Sequence, residues 1–424
     1  MLSRLLCLVP VGLLMAQPAP DPRDIARKAL DLLLAAQYSG LVQNFTPEVK
    51  LGVNEQTLPK MGMQIKSWGA VEKIGEPSTR KAGLNTIVVI PVAFASQSIN
   101  FQFAINPAGQ VAQFFMLPVA GGGAWQRPPY SKPDAFRERE VTIGEDPWKL
   151  AGTLTVPVGQ GPFPAIVLVH GSGPNDRDET IGATKVFKDL AEGLASRGVV
   201  VLRYEKRTRR YPTVSKTAKF TIQQETVEDA VKAAALVRPQ PEVNPQRVFL
   251  LGHGMGGYIA PEIAEDDGKL AGLVLLAANA RPLEDLVVEQ ASNAGFPAKE
   301  LDTIKAQAAR IKRLEPGDED APPVLNMPVS YFLDLKGYDA VATAKKFSAP
   351  ILILQGERDF QVTMKDLDLW KAGLAARKDV TFHSYPALNY LMVAGEGKGT
   401  EAEYRKPGHV APEVIDDIVK WMGK

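Results

Sequence analysis

The residues with the clearest chemical potential lie in LLGHGMGGYIAPEIA, from Leu250 to Ala264. An apolar run enters a glycine-rich turn, and a helical pattern leaves it. The pattern G-x-S-x-G presents a nucleophilic serine on such a turn. Here it reads Gly252-His253-Gly254-Met255-Gly256. Gly252 and Gly256 let strand and helix approach closely, but position 254, where the nucleophile would stand, carries no side chain. A glycine at that strained position relieves about 1–3 kcal/mol. The same stretch also reads as a Gly-rich strand-to-helix turn without chemistry. A dinucleotide-binding loop fits poorly, because it belongs in the first βα unit with an acid at the end of the next strand.

Three other stretches carry polar residues at positions that matter to such a turn. In VLVHGSGPNDRDET, an apolar run ends in His170-Gly171-Ser172-Gly173, whose tight turn exposes backbone N–H groups able to hold an oxyanion. Asp176, Arg177, Asp178 and Glu179 follow as a dense charged run, which reads as a salt-bridged surface turn. In ILILQGERDFQV, Asp359 lies just past an apolar run, where an acid orients an imidazole or simply forms a turn. In FHSYPALNYLMVAGEGKG, the loop that should hold the base in a Ser–Asp–His chain order carries Leu388, Asn389 and Tyr390, and no histidine.

The chain has four histidines. His170 opens the glycine loop. His253 sits beside position 254, with its side chain expected to point elsewhere. His383 lies within a strand-like run. His409 precedes an amphipathic helix with Val414, Ile415, Ile418 and Met422 on its buried face. None completes the nucleophile–base–acid arrangement of covalent acyl transfer. No His, Cys or carboxylate group has metal-ligand spacing, and no nucleotide fingerprint is present, so no metal or cofactor is expected.

These residues need a scaffold that delivers strand ends to one edge. The runs AIVLVH, VVVLRY, RVFLLG, LVLLAA and ILILQG are short and continuously apolar, as strands covered on both faces are. Helical patterns such as ETVEDAVKAAALV separate them, so a doubly wound, mostly parallel α/β sheet is expected. REVTIGEDPWKLAGTLTVP adds an antiparallel pair. A helical insertion over about 281–347, with Leu301, Ile304, Ala308 and Ile311 on one face, is placed to cover a ligand site.

Residues 21–117 read as a separate small α+β domain. One helix there puts Ile25, Ala29, Leu32 and Leu33 on a face, and a Pro107-Ala108-Gly109 turn joins INFQFAI to QVAQFFML. The Gly/Pro-rich stretch 118–135 reads as a linker, and 136–424 as the main α/β domain. Residues 1–16 pair a positive charge with a short apolar run ending at Ala16, the pattern of an export signal. The protein is therefore expected in the periplasm or secreted, and without Cys7, its single cysteine, it forms no disulfide. A net charge of +1 implies no general attraction to nucleic acid, and no segment is apolar enough to span a membrane.

Taken together, HGSGPNDRDET, VLRYEKRT, GHGMGG, ILQGERDFQVT and YPALNYL…GEGKGT…EYRKPGHV resemble the α/β-hydrolases, and more narrowly the EstD-type bacterial carboxylesterases. The resemblance spans most of the chain beyond the leader. It implies a serine at the position of Gly254, an acid at Asp359 and a histidine base at the position of Tyr390. It further implies an oxyanion hole formed by the N–H groups of Ser172 and Met255. His409 falls within the resemblance and is expected to be structural. The sequence departs from the family at two of three triad positions. The expectation is a catalytically impaired hydrolase-fold protein that binds a small acyl or ester-like ligand. An active hydrolase using His409 and water, or an interaction protein working through its N-terminal domain, are the alternatives. Asp359, deprived of an imidazole, needs another donor, and the Tyr390 hydroxyl offers one.

Overall fold

Strands covered on both faces must be apolar at every position, whereas strands covered on one face alternate. The computed structural model shows one sheet of each kind, and describes residues 20–94, 98–118, 125–182, 184–214, 217 and 219–423. The expected leader at 1–16 lies outside the described residues. The chain forms two compact units, residues 1–121 and 122–424.

The first unit opens with α1 (Pro22–Leu34), α2 (Tyr38–Gln43), α3 (Pro47–Gly52) and α4 (Leu58–Ser67). Asp21 caps α1 by accepting from the Arg23 N–H at 2.8 Å. Its buried stripe is Ala26, Ala29, Leu30 and Leu33. Ile25 and Leu32, expected on that face, are only partly covered. An antiparallel sheet follows: β1 (Val71–Ile74), β2 (Ser78–Ala82), β3 (Asn85–Phe94), β4 (Ser98–Ile105) and β5 (Val111–Pro118). The order is β1-β3-β4-β5, with β2 also pairing with β3. Val88, Ile90, Val92, Phe101 and Phe103 join the helices in one core. The β4–β5 hairpin turns through Asn106–Gln110, as the Pro107-Ala108-Gly109 signal predicts.

The second unit holds an eight-stranded sheet. Its first strands are β6 (Phe136–Ile143), β7 (Leu150–Pro157) and β8 (Phe163–Val169), followed by the small pair β9 (Thr180–Ile181) and β10 (Thr184–Lys185) and helix α5 (Val186–Ala195). Then come β11 (Val200–Tyr204), α6 (Arg207–Arg210), α7 (Glu228–Val237), β12 (Val243–His253), α8 (Met255–Asp267) and β13 (Leu273–Leu276). The insertion supplies α9 (Leu283–Asn293), α10 (Ala298–Arg313), α11 (Val329–Leu335) and α12 (Ala340–Lys346). The chain closes with β14 (Ile351–Gly356), α13 (Met364–Gly373), β15 (Val380–Tyr385) and α14 (Pro412–Met422).

The sheet order is β15-β14-β13-β12-β8-β11-β7-β6. The six strands from β15 to β11 are parallel, and β7 and β6 add an antiparallel edge. Along β12, Val248 and Leu250 join the core on one face, while Phe249 and Leu251 join that on the other. That two-sided burial is the physical origin of the unbroken apolar runs.

The second half of the expected linker is not a free tether. Trp125 Nε1 donates to Asp189 at 2.8 Å, and Arg127 and Ser131 both bind Glu192, each at 2.6 Å. Asp189 and Glu192 are buried on α5, so these contacts seat residues 125–131 on the second unit.

Candidate active site

The sharp turn after β12 places Gly254 at φ +53°, immediately before α8. A side chain at this φ is strained. Gly256 is required for a different reason. A Cβ there would collide with the backbone carbonyls of Val169 and His170 at the end of β8. The elbow therefore rests directly on the loop that carries Gly171 and Ser172.

That loop is held from two sides. The Gly171 N–H donates to Glu179 Oε1 at 2.7 Å, and its carbonyl accepts from Lys206 Nζ at 2.8 Å. Glu179, His253 and Lys206 are all buried. The next N–H, that of Ser172, donates to no group among the described residues, nor does that of Met255 at the start of α8. Both residues line one cavity of about 470 Å³. Fixed, unpaired N–H groups at such a cavity are what stabilise an oxyanion.

Beneath the elbow lies a buried pair that spacing did not reveal. His253 Nδ1 is 2.8 Å from Glu179 Oε2, and its Nε2 is 3.0 Å from the Tyr390 carbonyl. The carbonyl only accepts, so Nε2 carries a proton, and the opposite shifts of the two partners place the shared proton on Nδ1, which makes the pair an imidazolium–carboxylate. Burial opposes the charge, but the Glu179 carboxylate and the Tyr390 carbonyl outweigh it and hold His253 above its ordinary value. Burial likewise opposes the charge on Glu179, yet His253, His170 and the Gly171 N–H keep it below its usual range. The reading of Asp176–Glu179 as a surface turn thus fails at Glu179, and His253, expected to point elsewhere than position 254, is buried beneath the cavity and does not line it. It lies under Tyr390, with ring centroids 4.3 Å apart.

Tyr390 fills the space above the elbow. A Cβ built on Gly254 would meet the Tyr390 hydroxyl well inside contact distance and its Cζ at 3.1 Å. The hydroxyl makes no hydrogen bond among the described residues, and the residue is 8% exposed. It does not serve Asp359. Asp359 Oδ1 accepts from the N–H groups of Gln361 (2.7 Å) and Val362 (3.0 Å), and Oδ2 from Gln355 Nε2 at 3.1 Å. Gln355, buried on β14, is the donor the sequence did not single out.

The walls of the cavity are mostly apolar, and the insertion supplies one side of them: Leu283, Leu286, Val287 and Ala291 of α9, Phe296, and Ile304 of α10. Leu301, expected on the same face as Ile304, is absent from this lining. The root of the insertion is pinned where Arg281 pairs with the buried Asp366 of α13 at 2.6 Å.

Comparison with known proteins identifies the lineage. The serine aminopeptidase S33 family model matches residues 161–391, more than half of the chain. Esterase EstD of Thermotoga maritima is 42% identical over 335 residues, covering 78% of each protein. The chain belongs to the EstD-type α/β-hydrolase esterases. Solved structures resembling this EstD-type chain include an esterase of Pyrococcus furiosus and Est1E of Butyrivibrio proteoclasticus. The first is 13% identical with a TM-score of 0.44, covering 71% of this chain and 94% of that one. The second is 14% identical with a TM-score of 0.45, covering 67% and 99%.

In this EstD-type chain no histidine lines the cavity. His170 Nε2 faces the Asp176 carbonyl at 3.0 Å, and His383 is half exposed on β15 beside Asp417. His409 Nδ1 lies 3.1 Å from Asp189 on α5 and packs edge-on against Trp125. It is committed to that contact and does not line the cavity.

The burial of Asp359 has a titration consequence. Burial pushes Asp359 up to about 7, against its three hydrogen bonds. The folded protein then keeps a proton that the unfolded chain releases near 3.8. Stability from this group therefore falls as pH rises from about 4 to about 7, by roughly 1.4 kcal/mol per pH unit. Urea titrations of the wild type and Asp359→Asn should diverge over that window and run parallel above it. A constant difference across it would show that Asp359 ionises normally.

Proposed function

We propose that this EstD-type chain binds a small acyl or ester-like ligand in the cleft beside Gly254 without Ser–His–Asp turnover. The observation that carries this reading is the pairing of the two departures. Position 254 offers no nucleophile, and Tyr390 occupies the space a nucleophile would need. Asp359 is the acid position left without a base, while Ser172 and Met255 supply the retained oxyanion donors. In a serine hydrolase, loss of the nucleophile or the base costs about 10⁶-fold in turnover, and loss of both costs little more. The cavity, its apolar walls and the free N–H groups support retention of binding.

Export to the periplasm or the medium is part of the same proposal and rests on residues 1–16. The test is a rate measurement on p-nitrophenyl butyrate with the purified protein. Hydrolysis should be about 10⁶-fold below that of an intact serine esterase. A turnover within about 100-fold of such an enzyme, or one abolished by His409→Ala, would overturn the reading.

A further inference from the structure

The donors around Gly254 outnumber what an ester carbonyl can use. The Ser172 and Met255 N–H groups are unpaired, and Tyr390, a residue only 8% exposed, lines the same cavity with its hydroxyl unpartnered among the described residues. The hydroxyl opens onto the cavity and is not sealed in the core, so it is available to a ligand acceptor there. The elbow also lies at the N-terminus of α8, a helix of 13 residues whose dipole favours negative charge there. We infer that the cleft holds a free aliphatic carboxylate, with its two oxygens on the Ser172 and Met255 N–H groups and the Tyr390 hydroxyl and its chain against the α9 wall. This rests on the cleft-binding reading above and specifies its ligand class.

The charges near the floor permit it. Glu179 reaches the cavity, but its Oε1 and Oε2 already accept from Gly171 and His253, and the imidazolium offsets its charge. Glu401, the other acid in the lining, is exposed to solvent. The phenol stays a donor at neutral pH, because burial and the nearby Glu179 and Asp359 push it well above its ordinary value. An ester has one good acceptor oxygen and no charge, so it leaves part of this donor set unused. With serine at position 254, the same oxyanion donors would serve a transition state. Here they face a ligand that resembles a hydrolysis product.

The full chain should be titrated calorimetrically with octanoate, methyl octanoate and octan-1-ol at pH 7.5. Octanoate should bind at least 10-fold tighter than either neutral analogue. Tyr390→Phe should reduce the octanoate-to-methyl-octanoate affinity ratio by about 10-fold, the range for losing one hydrogen bond to a charged group. Its fold should survive, since the hydroxyl has no protein partner, and a thermal melt checks this. Equal binding of acid and methyl ester, or an unchanged ratio in Tyr390→Phe, overturns the carboxylate assignment while leaving cleft binding intact. Failure of all three ligands to bind overturns both readings.

Discussion

Gly254→Ser alone should yield a less stable protein that remains inactive, whereas Gly254→Ser combined with Tyr390→His should hydrolyse a short-chain ester. The single change puts a Cβ and a hydroxyl where the Tyr390 phenol already sits. Overpacking of this kind costs about 1–3 kcal/mol. The φ of +53° adds strain for any side chain. Histidine at position 390 removes the obstruction and supplies an imidazole on the loop that already lies near Asp359. Since a triad accounts for about 10⁶-fold in turnover, even a misaligned one should raise the rate on the order of 10³-fold. Thermal melts of the four proteins in the cycle, with initial rates on p-nitrophenyl butyrate, give both readouts. A Gly254→Ser protein as stable as the wild type would sink the steric coupling. A double variant without activity would show that the cleft has lost more than two side chains.

The second large effect concerns the buried pair. Glu179→Ala leaves the His253 imidazolium without its counter-charge, and His253→Ala leaves the carboxylate buried alone. Breaking one partner of such a pair costs about 3–5 kcal/mol. Removing both should cost less than the sum, because no uncompensated charge remains. Denaturant titrations of the two single variants and the double variant check this. Losses under 1 kcal/mol in both singles would mean that the pair is neutral. The pH dependence has a definite sign. The Glu179 contribution is present above its unfolded value of 4.5 and fades as pH falls through the lower folded value. The His253 contribution is complete below 6.5 and fades as pH rises through the higher folded value. The pair therefore stabilises fully only between those two limits.

Much of the second unit was legible because burial on both sheet faces leaves its mark as continuous apolar runs. The insertion and the elbow followed from where those runs end. Glu179 was not legible. It sits in a run of four charged residues, and what makes it special is an imidazole 74 positions away. Asp178 and Arg177, its neighbours, do form the ion pairs that such a run suggests. Gln355 was hidden for a related reason, as a polar residue at the end of an apolar strand whose partner, Asp359, is reached only after the turn. The α1 face came out rotated because Ile25 and Leu32 look as hydrophobic as Leu30, and only packing selects among them. The contest between Tyr390 and any side chain at 254 is likewise a property of two loops brought together by the sheet.

The grip on the 390 loop also bears on how the cleft can be re-engineered. His253 holds the backbone carbonyl of Tyr390 as well as lying under its ring, so a substitution at 390 keeps the first contact and changes only the second. The course of the loop is therefore anchored apart from the side chain at 390, whose ring is what crowds position 254. A side chain at 254 and the ring at 390 exclude one another, so the residues at these two positions have to be exchanged together.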